Sequence, residues 1–460
     1  MTQKTYTSYK DSGIEWLGTI PKHWEDSHLK RVCKLIKDGT HASIPRVDKG
    51  FPLLSVRNIV NNEFINLEDD SCISKKDYLS ITKSFKVEEG DIQLAIVGAT
   101  MGKVAVVKKL KPFATQRSIA TIRVHQKYLN NRYLFYFMRG EKFQNFLWNN
   151  TNYSAQPGIY LGTIEMINVF IPPKKEQHQI AHYLDVKTKA IDKKIQLLQQ
   201  QITQYKAYRK SLINAVVTGK RLVKDNTTIA IKASKTKDSG ISWIGKIPKH
   251  WEVKRIKDIF NISRGRAIGK TELKSNGKYP VYSSQTKNNG ILGYIDSYDF
   301  NANLLTWTTD GVNAGTVFIR KGKFNCTNIC GTLIVKNNSI LSLKYMEYAV
   351  QESTKHNKRI DTNGAKIMSN EMSVINTMLP PKKEQQEIAN YLDRTTKTID
   401  KIVENLQTQI STLQELRKTL INDVVTGKVS ILHTQEAKDA GERYEEDAAM
   451  ERKLHTLRRL

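Results

Sequence analysis

The chain predicts a mixed α/β (α+β) fold. Two globular domains are separated by two long helices that form an intramolecular antiparallel coiled coil, a pseudo-two-fold tandem repeat. Three observations predict this. Residues 10–25, KDSGIEWLGTIPKHWE, return at 237–252 as KDSGISWIGKIPKHWE, an offset of 227 residues. Residues 172–220 open PPKKEQHQIAHYLD, close LINAVVTGK, and return almost unchanged at 380–428, an offset of 208. The filling between these repeats, about 26–171 and 253–379, shares no run of similar length and is made of short apolar stretches broken by glycine. Repetition of this kind sets the layout before any local reading.

Taken in order, residues 1–171 form a first domain with its leader, and 172–220 the first long helix. A linker spans 221–236, a second domain with repeated leader 237–379, the second long helix 380–428, and a tail 429–460. In the leader, Trp16, Ile20, Pro21 and Trp24 match Trp243, Ile247, Pro248 and Trp251. These aromatics read as core packing rather than as a platform for stacking bases. In the first filling, 92–97 and 103–107 read as strands around the turn Gly98-Ala99-Thr100-Met101-Gly102. Another strand is expected at 118–124 and one amphipathic helix over 133–147. In the second, 290–294, 304–308 and 316–319 are strand-like, and 343–351 parallels the first domain's helix.

Each long helix follows Pro-Pro, a step suited to a first helical turn. Between those prolines and the closing glycine neither copy holds another Gly or Pro, which allows a helix on the order of 60 Å long. Leu184, Ile191, Leu198, Tyr205 and Leu212 recur every seven residues, with Thr188, Ile195, Ile202, Arg209 and Val216 as companions. The second copy repeats the register with Leu392, Ile399, Leu406, Leu413 and Leu420, and with Thr396, Val403, Ile410, Arg417 and Val424. Rows spaced three and four apart make a coiled-coil seam. The seams are expected to pack on one another within the chain, and a homodimeric coil is the rival arrangement. The linker is too short to carry the chain back along such a rod, but the second domain follows it, so an antiparallel return is expected with the domains at opposite ends. Gly219 and Gly427 are placed to cap the helices in the left-handed conformation.

Composition narrows function. Apolar residues at 39% are enough for packed cores but not for a membrane protein, and the 92–107 run is broken by Gly98, Gly102 and Lys103. No apolar signal core precedes it, so a cytoplasmic protein is expected. Cys33, Cys72, Cys326 and Cys330 form no CxxC pair and read as reduced structural thiols. A net charge of +28 and a pI near 9.7 suggest a polyanionic partner, most often nucleic acid. The first long helix holds ten Lys/Arg against three Asp/Glu, the second eight against seven, and the tail six against seven. Most of the excess charge therefore lies in the two domains. A generally basic surface is the plainer reading.

Catalytic constellations are hard to find. Residues 264–271, RGRAIGKT, lack the glycine that a phosphate loop needs five residues before its Gly-Lys, since that position is Arg264. The Asn/Asp-Pro-Pro-Tyr step of adenine methyltransferases is missing. Glu272-Leu273-Lys274 has no convincing upstream Asp for a nuclease site. No catalytic or metal-binding residue is assigned.

The Pro-Pro-x-x-Glu-Gln-x-x-Ile-Ala opening at 172–181 and 380–389 resembles that of the specificity (S) subunits of type I restriction-modification systems. The duplicated Gly-Ile-x-Trp-(Leu/Ile)-Gly-x-Ile-Pro-x-x-Trp leader and the Val-Thr-Gly-Lys helix ends share the resemblance, which covers about residues 10–428. It implies two target recognition domains, each reading half of a bipartite, asymmetric double-stranded DNA sequence. It also implies a coiled coil that sets half-site spacing and docks two methylation (M) subunits, with restriction (R) subunits completing the complex. S-adenosylmethionine, ATP and Mg²⁺ would then belong to partner subunits, and this chain would bind no cofactor. A self-sufficient DNA-modifying or DNA-cleaving enzyme and a basic coiled-coil scaffold without sequence-specific DNA binding are the alternatives.

Side-chain chemistry and loop position give the candidate DNA contacts. They are Lys37, Thr40, His41, Arg57, Asn58, Gln116, Arg117, Asn152 and Tyr153 in the first domain. In the second they are Arg264, Arg266, Lys270, Ser284, Gln285, Lys287, Asn288, Asn289 and Trp307. Lys and Arg would supply phosphate affinity, and the polar side chains base readout.

Overall fold

Each long helix starts at the first residue after its prolines. The computed structural model describes residues 4–152, 157–361 and 364–457, with backbone alone at 361 and 451–457. In it, helix Lys174–Val217 follows Pro173 and helix Lys382–Val425 follows Pro381. Both close on a left-handed glycine, Gly219 at φ 70° and Gly427 at φ 71°. A Cβ on either would lie 2.4 Å from a proline Cδ, of Pro248 and Pro21 respectively, so the position excludes any side chain.

The chain forms two compact units, one of residues 1–198 with 408–460, the other of residues 199–407. Each takes part of both long helices. In the first unit Leu184 shares a core with Ile421, Val424 and Val425, and Asp192 pairs with Arg417. In the second, Leu212 and Val216 share a core with Ile388 and Leu392, and Arg209 pairs with Asp400 at 3.1 Å. Within each unit, therefore, the two helical segments run antiparallel in one common register. Arg209 and Arg417 sit in the companion rows of the heptad, each with an aspartate to meet it. Among the seam residues, Ile195, Leu198, Ile202, Leu212, Leu392, Ile399 and Leu406 are buried; Ile191, Val403, Ile410, Leu413 and Leu420 are half-buried.

The two domains, unlike in sequence, share one topology. The first has a sheet in the order Cys33–Asp38, Ile119–Val124, Ile92–Ala95, Val104–Val107, extended by the hairpin Ile59–Val60 and Glu63–Phe64. The second has Phe260–Arg264, Cys330–Val335, Leu304–Thr308, Val317–Arg320 in the same order. A second sheet pairs Phe51–Leu54 in parallel with Ala114–Thr115, as Tyr279–Tyr282 pairs with Lys323–Cys326. A helix follows in each, Asn131–Arg139 and Leu343–Lys355. Strands Asn168–Ile171 and Asn376–Leu379 then return to pair with the leaders at Glu25–His28 and Glu252–Arg255.

Three local outcomes differ from or add to expectation. The single helix expected over 133–147 is two, Asn131–Arg139 and Glu141–Asn149, parted by an extended Gly140. A Cβ there would come within 3.1 Å of Phe137 O and of Val425 Cγ2. The linker holds a hairpin, Arg221–Lys224 with Thr227–Ala230, turned by left-handed Asp225 and Asn226. The tail contains helix Gln435–Leu457.

Candidate nucleic-acid interface

The repeated Glu-Gln of the helix openings explains how each domain is fixed to its helix. Glu176 accepts hydrogen bonds from Trp24 Nε1 at 3.0 Å and Tyr6 Oη at 2.5 Å, and lies 2.8 Å from His23 Nε2. Glu384 does the same for Trp251 Nε1 and His250, at 2.9 and 2.7 Å. Gln177 accepts from Asn130 N and donates to Tyr128 O and Pro172 O. Gln385 repeats this with Ser342 N, Ile340 O and Pro380 O. Lower on the helices, Asp185 and Thr188 hold Tyr136 Oη, and Asp393 and Thr396 hold Tyr348 Oη. Burial, reinforced by Asp185, pushes the Tyr136 phenol up to about 12, and burial raises Tyr348 equally. The phenols stay protonated donors at neutral pH.

On this rigid base each domain presents one polar edge. In the first, the strand carrying exposed Lys37 ends at Asp38, and a Cβ on the following Gly39 would lie 2.1 Å from Thr115 O. The crossing seats Thr40 beside Gln116 in a parallel bridge, and Arg117 N donates to Thr40 O at 3.1 Å. His41 Nε2 contacts Asp38 Oδ2 at 2.5 Å. Asn152 bridges Gly158, which also bridges Val97, and Ile96 N donates to Ser118 O. Arg57 is exposed but already gripped by Asp69 and Asp70, at 2.8 and 2.9 Å, which raises its pKa. Tyr153 lies outside the described residues.

The second domain repeats the crossing. Gly265 approaches Cys326 O so closely that a Cβ would lie 2.0 Å away, and Arg266 bridges Thr327 as Thr40 bridges Gln116. Strand register makes Arg264 the counterpart of Asp38, since both pair one residue beyond the Thr121–Lys37 or Thr332–Ser263 step. Arg264 donates to Asn328 O at 2.5 Å, and Arg266 pairs with Glu272 and Asp299. Lys270, Lys287, Asn288 and Asn289 are exposed; Ser284 is half-buried; Gln285 Nε2 is spent on Ile291 O.

Residues 21–204 and 248–412 match the family described as "Type I restriction modification DNA specificity domain". The chain belongs to this specificity-subunit family. Among its relatives in Mycoplasma pneumoniae, the protein named type I specificity subunit S.MpnORF201P is 35% identical over 254 residues, 55% of this chain and 91% of that protein. The type I restriction enzyme MpnII specificity subunit is 39% identical over 170 residues, 36% of this chain and 49% of that protein. A solved chain of a type I R-M system complex covers 88% of this chain and 98% of its own, at 13% identity and a TM-score of 0.68. The HsdS subunit from Thermoanaerobacter tengcongensis covers 89% and 98%, at 12% identity and a TM-score of 0.51. Both likenesses concern the fold.

Membership makes the chain a non-catalytic subunit of a type I restriction-modification system, one that serves DNA and the modification and restriction subunits in general. Among the described residues no group of three or more His, Cys, Asp or Glu could hold a metal ion. No helix among them is long and apolar enough to cross a membrane.

Two candidate contacts in this specificity subunit are core residues instead. Asn58 is fully buried, its Nδ2 donating to Ile65 O and Asp70 while its Oδ1 accepts from Ser55 N. Trp307 is fully buried in the central strand and donates from Nε1 to Ile367 O at 2.9 Å. Its ring also fills the place of any side chain at Gly331. Sequence reasoning overlooked Asn61 and Asn62, left-handed at φ 50° and 66° in the Ile59–Phe64 hairpin, and the exposed apolar Val312 and Ile360. An Asn-Asn step after an apolar pair is a turn signal that could have found the first two.

Proposed function

We propose that each domain reads one half of a bipartite, asymmetric DNA target, and that the paired helices set the distance between the halves. One observation carries this: a single topology, crossed by the same strand–glycine step, presents Asp38, Thr40 and Gln116 in one domain and Arg264, Arg266 and Thr327 in the other. A shared scaffold with unlike chemistry at matching positions suits two different half-sites. Lys37 and Arg117, with Lys270 and Lys287, supply phosphate contacts; Thr40, His41, Gln116 and Asn152, with Arg264, Arg266, Ser284, Asn288 and Asn289, face base edges. Arg57 joins them after exchanging its aspartates for a phosphate, and Gln285 shapes its turn.

Two methylation subunits dock on the duplicated frame. In support, each unit has a cleft at its Pro-Pro step, about 470 and about 490 Å³. His23, Glu25, Pro172 and Lys174 line one, and His250, Glu252, Pro380 and Lys382 the other. A surface built twice can take one partner twice. S-adenosylmethionine, ATP and Mg²⁺ are bound by the methylation and restriction subunits, and the assembly acts in the cytoplasm.

Mapping methylated adenines in cells with and without this chain tests the reading. One bipartite motif should disappear with the protein. Deleting seven residues from both helices should change its spacer and leave its half-sequences intact. A motif unaffected by loss of the chain would defeat the proposal.

A further inference from the structure

The second domain contains a buried cation that forms no ion pair among the described residues, although Glu347 lies close enough to feel its charge. Arg320 ends strand Val317–Arg320 and is 1% exposed. Its guanidinium lies over the rings of Tyr282 and Phe318, 3.6 and 4.4 Å from their centroids. Nε donates to Thr306 Oγ1 at 3.1 Å, and Nη1 donates to the carbonyl of Asn289 at 2.8 Å. Among the described residues no carboxylate forms an ion pair with it. Burying a guanidinium on neutral acceptors and ring faces carries a desolvation cost that a hydrophobic residue would avoid.

This cation braces the turn Lys287–Gly290, which joins the antiparallel strands Tyr279–Tyr282 and Ile291–Ile295. Asn288 and Asn289 are both left-handed, at φ 50° and 49°, a sparsely populated conformation for two successive residues. Gly290 follows at φ 78°, and a Cβ there would lie 2.8 Å from Arg320 Nη2. The side chains of Lys287, Asn288 and Asn289 are exposed. The first domain has a comparable turn with a valine in the arginine's place. Its Asn61–Asn62 turn is held by strand pairing, with Glu63 and Phe64 joined to Val106 and Val107. Register identifies Val107 as the counterpart of Arg320: Ile92 pairs with Val106 and Ile122, as Leu305 pairs with Ile319 and Leu333. Both Asn-Asn turns thus close strand pairs, and the second domain adds a buried arginine bonded to its turn.

We infer that Arg320 is a positioning residue for DNA recognition, holding the Lys287–Gly290 turn in the shape that reads the second domain's half-site. This rests on the half-site reading proposed above. The arginine touches no DNA itself; its charge-assisted bond to Asn289 fixes where Lys287 and Asn288 point.

The test uses the full chain and a duplex carrying the mapped bipartite motif, with further duplexes in which one half or the other is scrambled. Arg320→Gln should bind the intact duplex about tenfold more weakly and stop distinguishing a scrambled second-domain half. Discrimination of the first-domain half should be retained. Gly290→Ala, which leaves the guanidinium in place and disturbs the turn, should give the same one-sided loss and serves as the readout if Arg320→Gln does not fold. Unchanged discrimination in both variants overturns the inference, as does equal loss at both halves, the mark of general destabilisation. A wild-type chain that cannot tell the motif from scrambled DNA would instead overturn the half-site reading.

Discussion

Glu176 and Glu384 occupy the same place in the two copies but carry different loads. Glu176 serves Tyr6, His23 and Trp24 with its side chain 6% exposed, whereas Glu384 is 32% exposed and serves two leader residues. Removing a buried acceptor leaves its donors unpaired, a penalty beyond the bond itself. Glu176→Ala should therefore destabilise by about 3 kcal/mol, and Glu384→Ala by less, as read from urea unfolding midpoints. Equal losses would show that Tyr6 adds nothing. At this scale the sequence was readable where a residue repeats and misleading where it stands alone. Trp24 and Trp251 recur within identical words and are fully buried, while Trp16 and Trp243 recur half-buried against the same cores. Trp307, flanked by threonines, offers the same chemistry as an exposed stacking residue. Only the pairing of its strand on both sides shows that every side chain of Leu304–Thr308 is inside.

Among the elements, the long helices were legible because a heptad without Gly or Pro has few alternatives. The tail helix was not, since its contacts are made with residues distant in sequence. Gln435–Leu457 lies on the start of the first long helix. Gln179 Nε2 donates to Ala437 O at 2.9 Å, Lys187 pairs with Glu436 at 2.5 Å, and Lys175 pairs with Glu445. His178 stands in that interface, its ring 4.7 Å from that of Tyr444 and its Nε2 3.2 Å from Asn130 Nδ2. Burial, then the nearby Lys174 charge, lowers its pKa, only partly offset by Asp447. A histidine depressed in the folded state binds fewer protons folded than unfolded. Its contribution is therefore intact above the unfolded value of about 6.5 and is lost as pH falls through that value toward the folded one. Hydrogen exchange should show the tail helix loosening on acidification below about pH 6.5. His178→Gln, which copies Gln386 of the second helix, should abolish that dependence. A variant that loosens just as much would acquit His178.

For the molecule as a whole, the shared topology of the two domains was hidden because strand order is fixed by backbone pairing and the side chains have diverged. The two compact units are also unlike in one respect: the second is a continuous piece of chain and the first is not. The second unit's core draws wholly on residues between Leu212 and Leu392. The first unit's core needs Ile421, Val424, Val425, Ile431 and Ala437 from beyond it. A fragment of residues 199–407 should therefore melt cooperatively, whereas 1–198 should fold only when 408–460 is supplied, as followed by circular dichroism. A cooperative melt of 1–198 by itself would contradict this.

The discontinuity also sets a timetable. At 5–20 residues per second, a ribosome needs roughly ten to forty seconds to make the stretch between residue 198 and residue 408. Throughout that interval the first domain is outside with one wall missing, its leader tryptophan waiting for Val424 and Gly427. The second unit has everything it needs as soon as residue 407 emerges. The domain made first is the one finished last, and its exposed apolar face is the surface a nascent-chain chaperone would meet.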